Sequence, residues 1–223
     1  MAMTQVVKRA APAPSTREGF ARQYLATLSR CLNALDLDHI GRVIEVLERA
    51  WIADAQIFLA GNGGSAATAS HMANDLSKTV AGDPADGRRG FRAIALTDNV
   101  PLITAWANDA RYDDIFAEQL RVLARPGDVL VVISGSGNSP NVVRAVERAR
   151  ERGVTTIGFL GRNGGRLAKC VDLAIVVAEQ GYGPIEDVHL ALNHLLTGYF
   201  QQWVTARQGL RKISSGSSAC HEG

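Results

Sequence analysis

Apolar residues follow two kinds of spacing along this chain. Between Thr16 and Leu35, Phe20, Tyr24, Leu28 and Leu32 recur at four-residue intervals, the spacing of one helical face. Asp38 then reads as the N-cap of a second helix to about Ala53, with Ile40, Val43, Leu47 and Trp51 on its apolar side. After that, short continuous apolar runs take over: QIFLA (56–60), RAIAL (92–96), DVLVVIS (128–134), TTIGFL (155–160) and DLAIVV (172–177). Helical patterns separate them at about 66–80, 113–124, 140–152 and, briefly, 166–170. Strands that are apolar throughout are buried on both faces, and strands that alternate with helices run parallel. A last helix, about 185–207, carries Val188, Leu192, Leu195, Leu196, Tyr199 and Trp203 as a broad apolar stripe. The pattern predicts an α/β three-layer sandwich with a five-stranded parallel sheet and N-terminal helices. It forms a single domain over 16–210, with an Ala/Pro-rich tail at 1–15 and a loose Ser/Gly-rich tail at 211–223.

Composition narrows the class. Of 223 residues, 46% are hydrophobic and 21% charged, with 22 Gly and 7 Pro, which excludes fibrous and wholly disordered chains. Lys and Arg number 24 against 22 Asp and Glu, a net charge of +2. That balance gives no global field for nucleic acid or a membrane surface, so an anionic ligand must be held by a local site. Cys31, Cys170 and Cys220 are an odd, scattered set without a C-x-x-C pair. A disulfide framework and a cysteine zinc finger are therefore excluded, and a reduced, cytoplasmic setting is expected. The first twenty residues lack the apolar core of a signal peptide, and no apolar run reaches the roughly 18 residues a membrane helix needs.

In parallel sheets, ligands bind beyond the carboxyl ends of the strands. After the first strand comes Gly61-Asn62-Gly63-Gly64-Ser65, where glycines let a ligand approach the backbone and Ser65 can cap a helix or donate its hydroxyl. The spacing is that of neither a P-loop nor a dinucleotide fingerprint. After the third strand comes Ser134-Gly135-Ser136-Gly137-Asn138-Ser139-Pro140-Asn141. Ser139 fits an N-cap and Pro140 the first helical position. Free N–H groups and hydroxyls at a helix start make a phosphate cradle that needs no lysine. His71 and Asp75 are four apart and share a helical face, while Glu186 and His194 are two turns apart on the last helix, with His189 able to join them. Two histidines and two carboxylates on two helices can ligate a divalent metal or act as an acid–base pair. Trp106, Tyr112 and Tyr182 are aromatic residues as suited to packing as to lining a pocket.

Read together, GNGGSAATASHMANDL (61–76), ALTDN (95–99), AND (107–109), GDVLVVISGSGNSPNVVRA (127–145) and EDVHLALNHLL (186–196) resemble the sugar isomerase (SIS) domain, and more narrowly the phosphoheptose isomerases. The resemblance runs from about Arg17 to Trp203. It implies a SIS fold of flavodoxin-like order. It implies an aldose–ketose isomerase acting on a long-chain ketose phosphate, sedoheptulose 7-phosphate or an analogue such as an octulose 8-phosphate, through a cis-enediol. It implies that Asn62, Gly63, Ser65, Asp109, Ser134, Gly135, Ser136 and Ser139 bind the sugar phosphate. Asp75, His194 and Glu186 would be catalytic, and His71, Asp75, Glu186 and His194 would hold zinc, with no nucleotide cofactor. A cytoplasmic homotetramer with sites shared between subunits follows from the same resemblance. Three positions depart from the pattern: Asp75 stands where the family usually has Glu, Glu186 where it has Gln, and Gly183 where it has a short polar residue. Those departures keep open a second reading, a non-catalytic SIS protein that binds a protein partner or senses a sugar phosphate.

Overall fold

The computed structural model describes residues 16–216, with side chains as far as Arg207. Two helices, α1 (Arg17–Asn33) and α2 (Leu37–Ile52), precede the alternating part. That part runs β1 (Gln56–Gly61), α3 (Gly64–Asn74), β2 (Arg92–Ala95), α4 (Val100–Asp109), α5 (Ala117–Leu123), β3 (Val129–Ser134), α6 (Pro140–Glu151), β4 (Thr155–Gly161), β5 (Leu173–Val177) and α7 (Tyr182–Gly216). The five strands pair in the order β2-β1-β3-β4-β5, every pair parallel. This is the predicted three-layer architecture.

Alternation along the strands divides the core into two layers. Ile57, Leu59, Val131, Ile133, Ile157 and Phe159 face α2, α3 and α7, while Phe58, Ala60, Leu130, Val132 and Leu160 face α5 and α6. Both faces are covered, so the strands read as apolar throughout rather than alternating. Trp51 of α2 meets Trp203 of α7 edge-on at 5.3 Å, and its indole N–H donates to the Arg89 carbonyl at 3.0 Å. Among the described residues, no helix is long and apolar enough to cross a membrane.

The details shift from the sequence pattern in several places. The cap of α2 is Asp36, whose carboxylate accepts from the Asp38 and His39 N–H groups, so Asp38 lies in the first turn. α1 buries none of its residues fully; Leu28 and Cys31 are its contacts with the core. The helix after β1 starts at Gly64 rather than 66 and changes to a π-helical turn at Asp75–Thr79. The stretch 113–124 divides into a 3-10 turn, Tyr112–Asp114, and α5, and the one at 166–170 is a 3-10 turn, Leu167–Lys169. α4 was not legible, because VPLITAWAND has apolar residues on all sides and buries none of them fully. α7 begins at Tyr182, and its helical backbone runs to Gly216, into the segment read as a loose tail. The tail at 1–15 lies outside the described residues.

His189 does not join the other ionisable groups. It is fully buried on α7 beside Phe159, and neither ring nitrogen makes a hydrogen bond of normal geometry. Burial pushes its pKa down to about 4, an effect the Leu160 backbone offsets only in part. The folded protein therefore holds His189 neutral, whereas the unfolded chain protonates it at about 6.5. The stability this confers is complete above pH 6.5 and is lost as pH falls towards 4. Urea unfolding is expected to show a loss of about 2 kcal/mol from this group between pH 7 and pH 5. H189L should flatten that part of the profile; an unchanged slope would show that His189 is not the acid-sensitive group.

Candidate active site

Strand order reverses between β1 and β3, since the chain moves outward to β2 on one side and to β4 and β5 on the other. A crevice opens at such a reversal, beyond the carboxyl ends of the strands. The two Gly/Ser loops follow these two strands and so meet there. They enclose a cavity of about 190 Å³ lined by Asn62, Ser65, Ser134, Gly135, Ser136 and Ser139, together with Ile133, Tyr182 and Glu186. A larger open groove of about 650 Å³, against edge strand β2, is lined by Ser70, Asn74, Ser77 and Asp98 among others and contains none of the predicted site residues.

Three helices begin at the smaller cavity: α3 at Gly64, α6 at Pro140 and α7 at Tyr182. Helix starts carry unpaired N–H groups and partial positive charge, so the cavity favours an anion without a lysine in its lining. Gly63 caps α3 with φ 55°, and Ser65 lies inside the helix instead of capping it. Its buried hydroxyl therefore stays with the cavity. Ser134 Oγ accepts from the Gly137 N–H at 3.0 Å, and Ser136 Oγ from the Asn138 N–H at 3.2 Å. Those backbone donors fix both oxygens and leave the hydroxyl protons to be donated. Ser139 occupies the N-cap of α6, but its hydroxyl makes no capping bond.

Two close approaches shape the walls. A Cβ on Gly64 would lie 2.6 Å from Glu186 Oε2, and one on Gly135 would lie 2.8 Å from the Tyr182 ring. Beside them, Tyr24 donates to Asp187 Oδ2 at 2.6 Å. That bond, then burial and the charges of Asp187 and Glu186, raises its pKa to about 12. The Tyr24 hydroxyl lies 2.8 Å from where a Cβ on Gly183 would stand.

The second cluster lies further along the same helices. Ligand atoms of His71, Asp75 and His194 all fall within 4.8 Å of one another. His71 Nε2 is 3.3 Å from Asp75 Oδ2, and the two imidazole rings stack edge-on at 5.1 Å. The Asp75 side chain is nearly buried while His71 is partly open. Its carboxylate accepts from Asn193 Nδ2 at 2.8 Å and from Thr79 Oγ1 at 3.1 Å. Two imidazoles and a carboxylate with a side open to solvent form a donor set that suits a catalytic divalent ion such as zinc. Glu186 is not in this cluster: its carboxylate stands at the start of α3, in the serine cavity. Asp109 is exposed at the end of α4, where it accepts from Asn108 Nδ2 at 2.8 Å.

Three residues of the site were missed in the sequence. Asn193 and Thr79 hold Asp75, and Asn141 pairs with Asn62. In that pair Asn62 Nδ2 donates to Asn141 Oδ1 at 2.9 Å, and Asn141 Nδ2 donates back to Asn62 Oδ1 at 2.8 Å. Tyr112 adds a third donor to Asn62 Oδ1 at 3.2 Å. The signal for Asn141 was its place one residue beyond Pro140 at the start of a helix. Asn193 had a signal in being a polar residue inside an apolar stripe. Of the aromatic candidates, Tyr182 lines the cavity, Tyr112 braces Asn62, and Trp106 packs against the second core layer.

With the fold and site defined, known proteins give the class. Residues 19–161 match the SIS domain family model. The probable phosphoheptose isomerase of Thermoplasma volcanium is 36% identical over 78% of this chain and 86% of its own length. The phosphoheptose isomerase of Rhodospirillum rubrum is 44% identical over 66% of this chain and 76% of its own. In three dimensions, the phosphoheptose isomerase from Neisseria gonorrhoeae superposes with a TM-score of 0.76 at 31% identity, covering 84% of this chain and 100% of that one. The chain belongs to the SIS domain family and, within it, to the phosphoheptose isomerases, a family of aldose–ketose isomerases.

The amide pair makes a test of how the two loops are joined. N141A leaves Asn62 short of a buried partner and is expected to destabilise the fold by about 1–3 kcal/mol. In a double-mutant cycle, N62A/N141A should lose less than the sum of the single variants, with a coupling of about 1 kcal/mol. Additive losses in urea unfolding would show that the pair does not tie the loops together.

Proposed function

We propose that this protein is a sugar-phosphate isomerase that interconverts a long-chain ketose phosphate and its aldose, sedoheptulose 7-phosphate or a close analogue such as an octulose 8-phosphate. The observation that carries this is the two-ended site. One end offers neutral donors and helix starts for a phosphate. The other offers a carboxylate and two imidazoles for proton transfer. Along α3 the step from Ser65 to His71 is about 9 Å and to Asp75 about 15 Å; from Glu186 to His194 along α7 it is about 12 Å. A short sugar phosphate would not span that separation, while an open-chain heptose or octose phosphate would.

The phosphate anchors at Ser65, Ser134, Ser136 and Ser139, which leaves C1 and C2 at the His71–Asp75–His194 end. Asp75 removes the proton alpha to the carbonyl and returns it to the neighbouring carbon. Asn193 and Thr79 hold its carboxylate in place for both transfers. His194 moves the proton on the oxygens of the cis-enediol. His71, Asp75 and His194 would hold the divalent ion, zinc in this reading, which when bound polarises the substrate oxygens. Asn62, braced by Asn141, orients a sugar hydroxyl. Glu186 borders the phosphate end and has no part in the ion's site. The functional form is taken to be a cytoplasmic homotetramer, supported by the apolar surface that Phe20, Leu25 and Leu195 leave exposed on α1 and α7.

The test is to incubate the protein with sedoheptulose 7-phosphate in D2O and follow it by NMR, with and without zinc and a chelator. The expected result is an aldose signal with deuterium at C2. D75N should lower kcat by about 10²- to 10⁴-fold with little change in phosphate-end binding. Turnover intact in D75N would remove Asp75 as the base. No exchange with either a seven- or an eight-carbon ketose phosphate would overturn the isomerase reading.

A further inference from the structure

The serine cavity has a carboxylate, Glu186, in its wall and neither lysine nor arginine in its lining. A phosphate dianion beside a carboxylate is also repelled by it, because like charges at short range repel in a low-dielectric cleft, so a positive charge nearby would strengthen a cradle built from helix starts and hydroxyls. A positively charged residue beside the cavity is Arg162, whose guanidinium lies over the ring of lining residue Tyr182. It directly follows β4, and the β3–β4 register pairs Ser134 with Leu160. Carried on by two residues, that register brings Arg162 level with Ser136. The loops touch there: a Cβ on Gly161 would lie 2.5 Å from the Gly135 carbonyl oxygen.

Arg162 has three unusual features. Its φ is +58°, a left-handed conformation that side-chain-bearing residues rarely adopt. Its guanidinium stacks over the Tyr182 ring at 4.7 Å, and that ring forms a wall of the cavity against Gly135. Its Nε is buried without a hydrogen-bond partner, and among the described residues the side chain forms no salt bridge. Strained backbone, an unpartnered donor and an unpaired charge at one residue mark a position held for a ligand rather than for folding.

We propose that Arg162 is the cation of the phosphate site: its guanidinium, carried on Tyr182, neutralises the phosphate held by the Ser134–Ser139 loop. This rests on reading that loop as the phosphate site. The Arg–Tyr stack fixes the charge beside the cavity without filling it, and it offsets Glu186. A guanidinium suits the task because its planar fork both stacks on an aromatic ring and presents several donors to phosphate oxygens.

Inorganic phosphate titrated calorimetrically into the full-length protein at low salt tests this directly, with wild type, R162Q, R162K and R162G compared. Wild type is expected to bind phosphate, with affinity falling as ionic strength rises. R162Q should bind about tenfold or more weakly and with a shallower salt dependence, and R162K should fall between the two. R162G should match or exceed wild type in melting temperature, because glycine accepts φ +58° freely, yet should lose phosphate as R162Q does. Such a variant, folded but weak in phosphate binding, separates a ligand role from a structural one. If R162Q and R162G bind phosphate within twofold of wild type, Arg162 is not the cation and the serine-loop reading still stands. If wild type itself binds no phosphate, the serine-loop reading falls and the proposal with it.

Discussion

Three helices can begin at one small cavity only where nothing projects from the backbone between them. Two close approaches enforce this: Gly64 against the Glu186 carboxylate and Gly135 against the Tyr182 ring. A methyl group on Gly135 would strike the Tyr182 ring at the start of α7, and one on Gly64 would force the Glu186 carboxylate to swing away from the start of α3. Moving the Tyr182 ring would disturb the wall where the α7 start meets the α3 and α6 starts, whose converging partial charges favour an anion. The Asn62–Asn141 pair works on the same joint from the other side, linking the β1 loop to the start of α6 by two reciprocal amide bonds. The site is therefore held by backbone proximity and one side-chain pair, with little call on ion pairs.

From that joint, α3 and α7 both lead away from the cavity and both carry residues of the ionisable cluster. Any change that rotates one helix against the other moves His71 and Asp75 relative to His194 and also moves Gly64 relative to Glu186. Binding at one end and proton transfer at the other thus share a mechanical frame. This is a sound arrangement for a reaction whose reacting carbons lie far from the group that anchors the substrate, because a small misplacement at a reacting centre carries a large penalty in rate.

What could be read in the sequence follows from which interactions are local. The five strands were legible because burial on both faces makes them apolar throughout. The two loops were legible because their glycines and serines sit at strand ends. His71 and Asp75 were legible as a pair because four residues on a helix is a contact distance. The partners of these groups come from distant parts of the chain, so the local signals of Asn193 and Asn141 marked them as polar positions without showing that they meet Asp75 and Asn62. Glu186 was grouped with the histidines by helical periodicity and by the family resemblance. Periodicity says which face a residue shares, not how far along the neighbouring helix its side chain reaches. Its carboxylate stands at the start of α3, away from Asp75 near that helix's end. α4 and the π-helical turn were missed because a helix without a buried face, and a turn with one extra residue, leave no periodic trace.

That turn bears on the shorter side chain at position 75. An aspartate reaches one methylene less far than the glutamate usual in the family, and on a regular helix the carboxylate would be drawn back towards its own backbone. Asp75 is instead the first residue of a π-helical turn, closed by the Val80 N–H on the Asp75 carbonyl at 3.0 Å. The same-helix partners of Asp75 remain those four residues away on either side. Thr79 reaches its Oδ1 and Asn193 its Oδ2, and His71 remains 3.3 Å from the same Oδ2. The carboxylate thus meets both the histidine and its two fixed donors despite its shorter stem. The shorter stem at position 75 is therefore served by donors from both its own helix and α7, which hold the carboxylate beside the histidine.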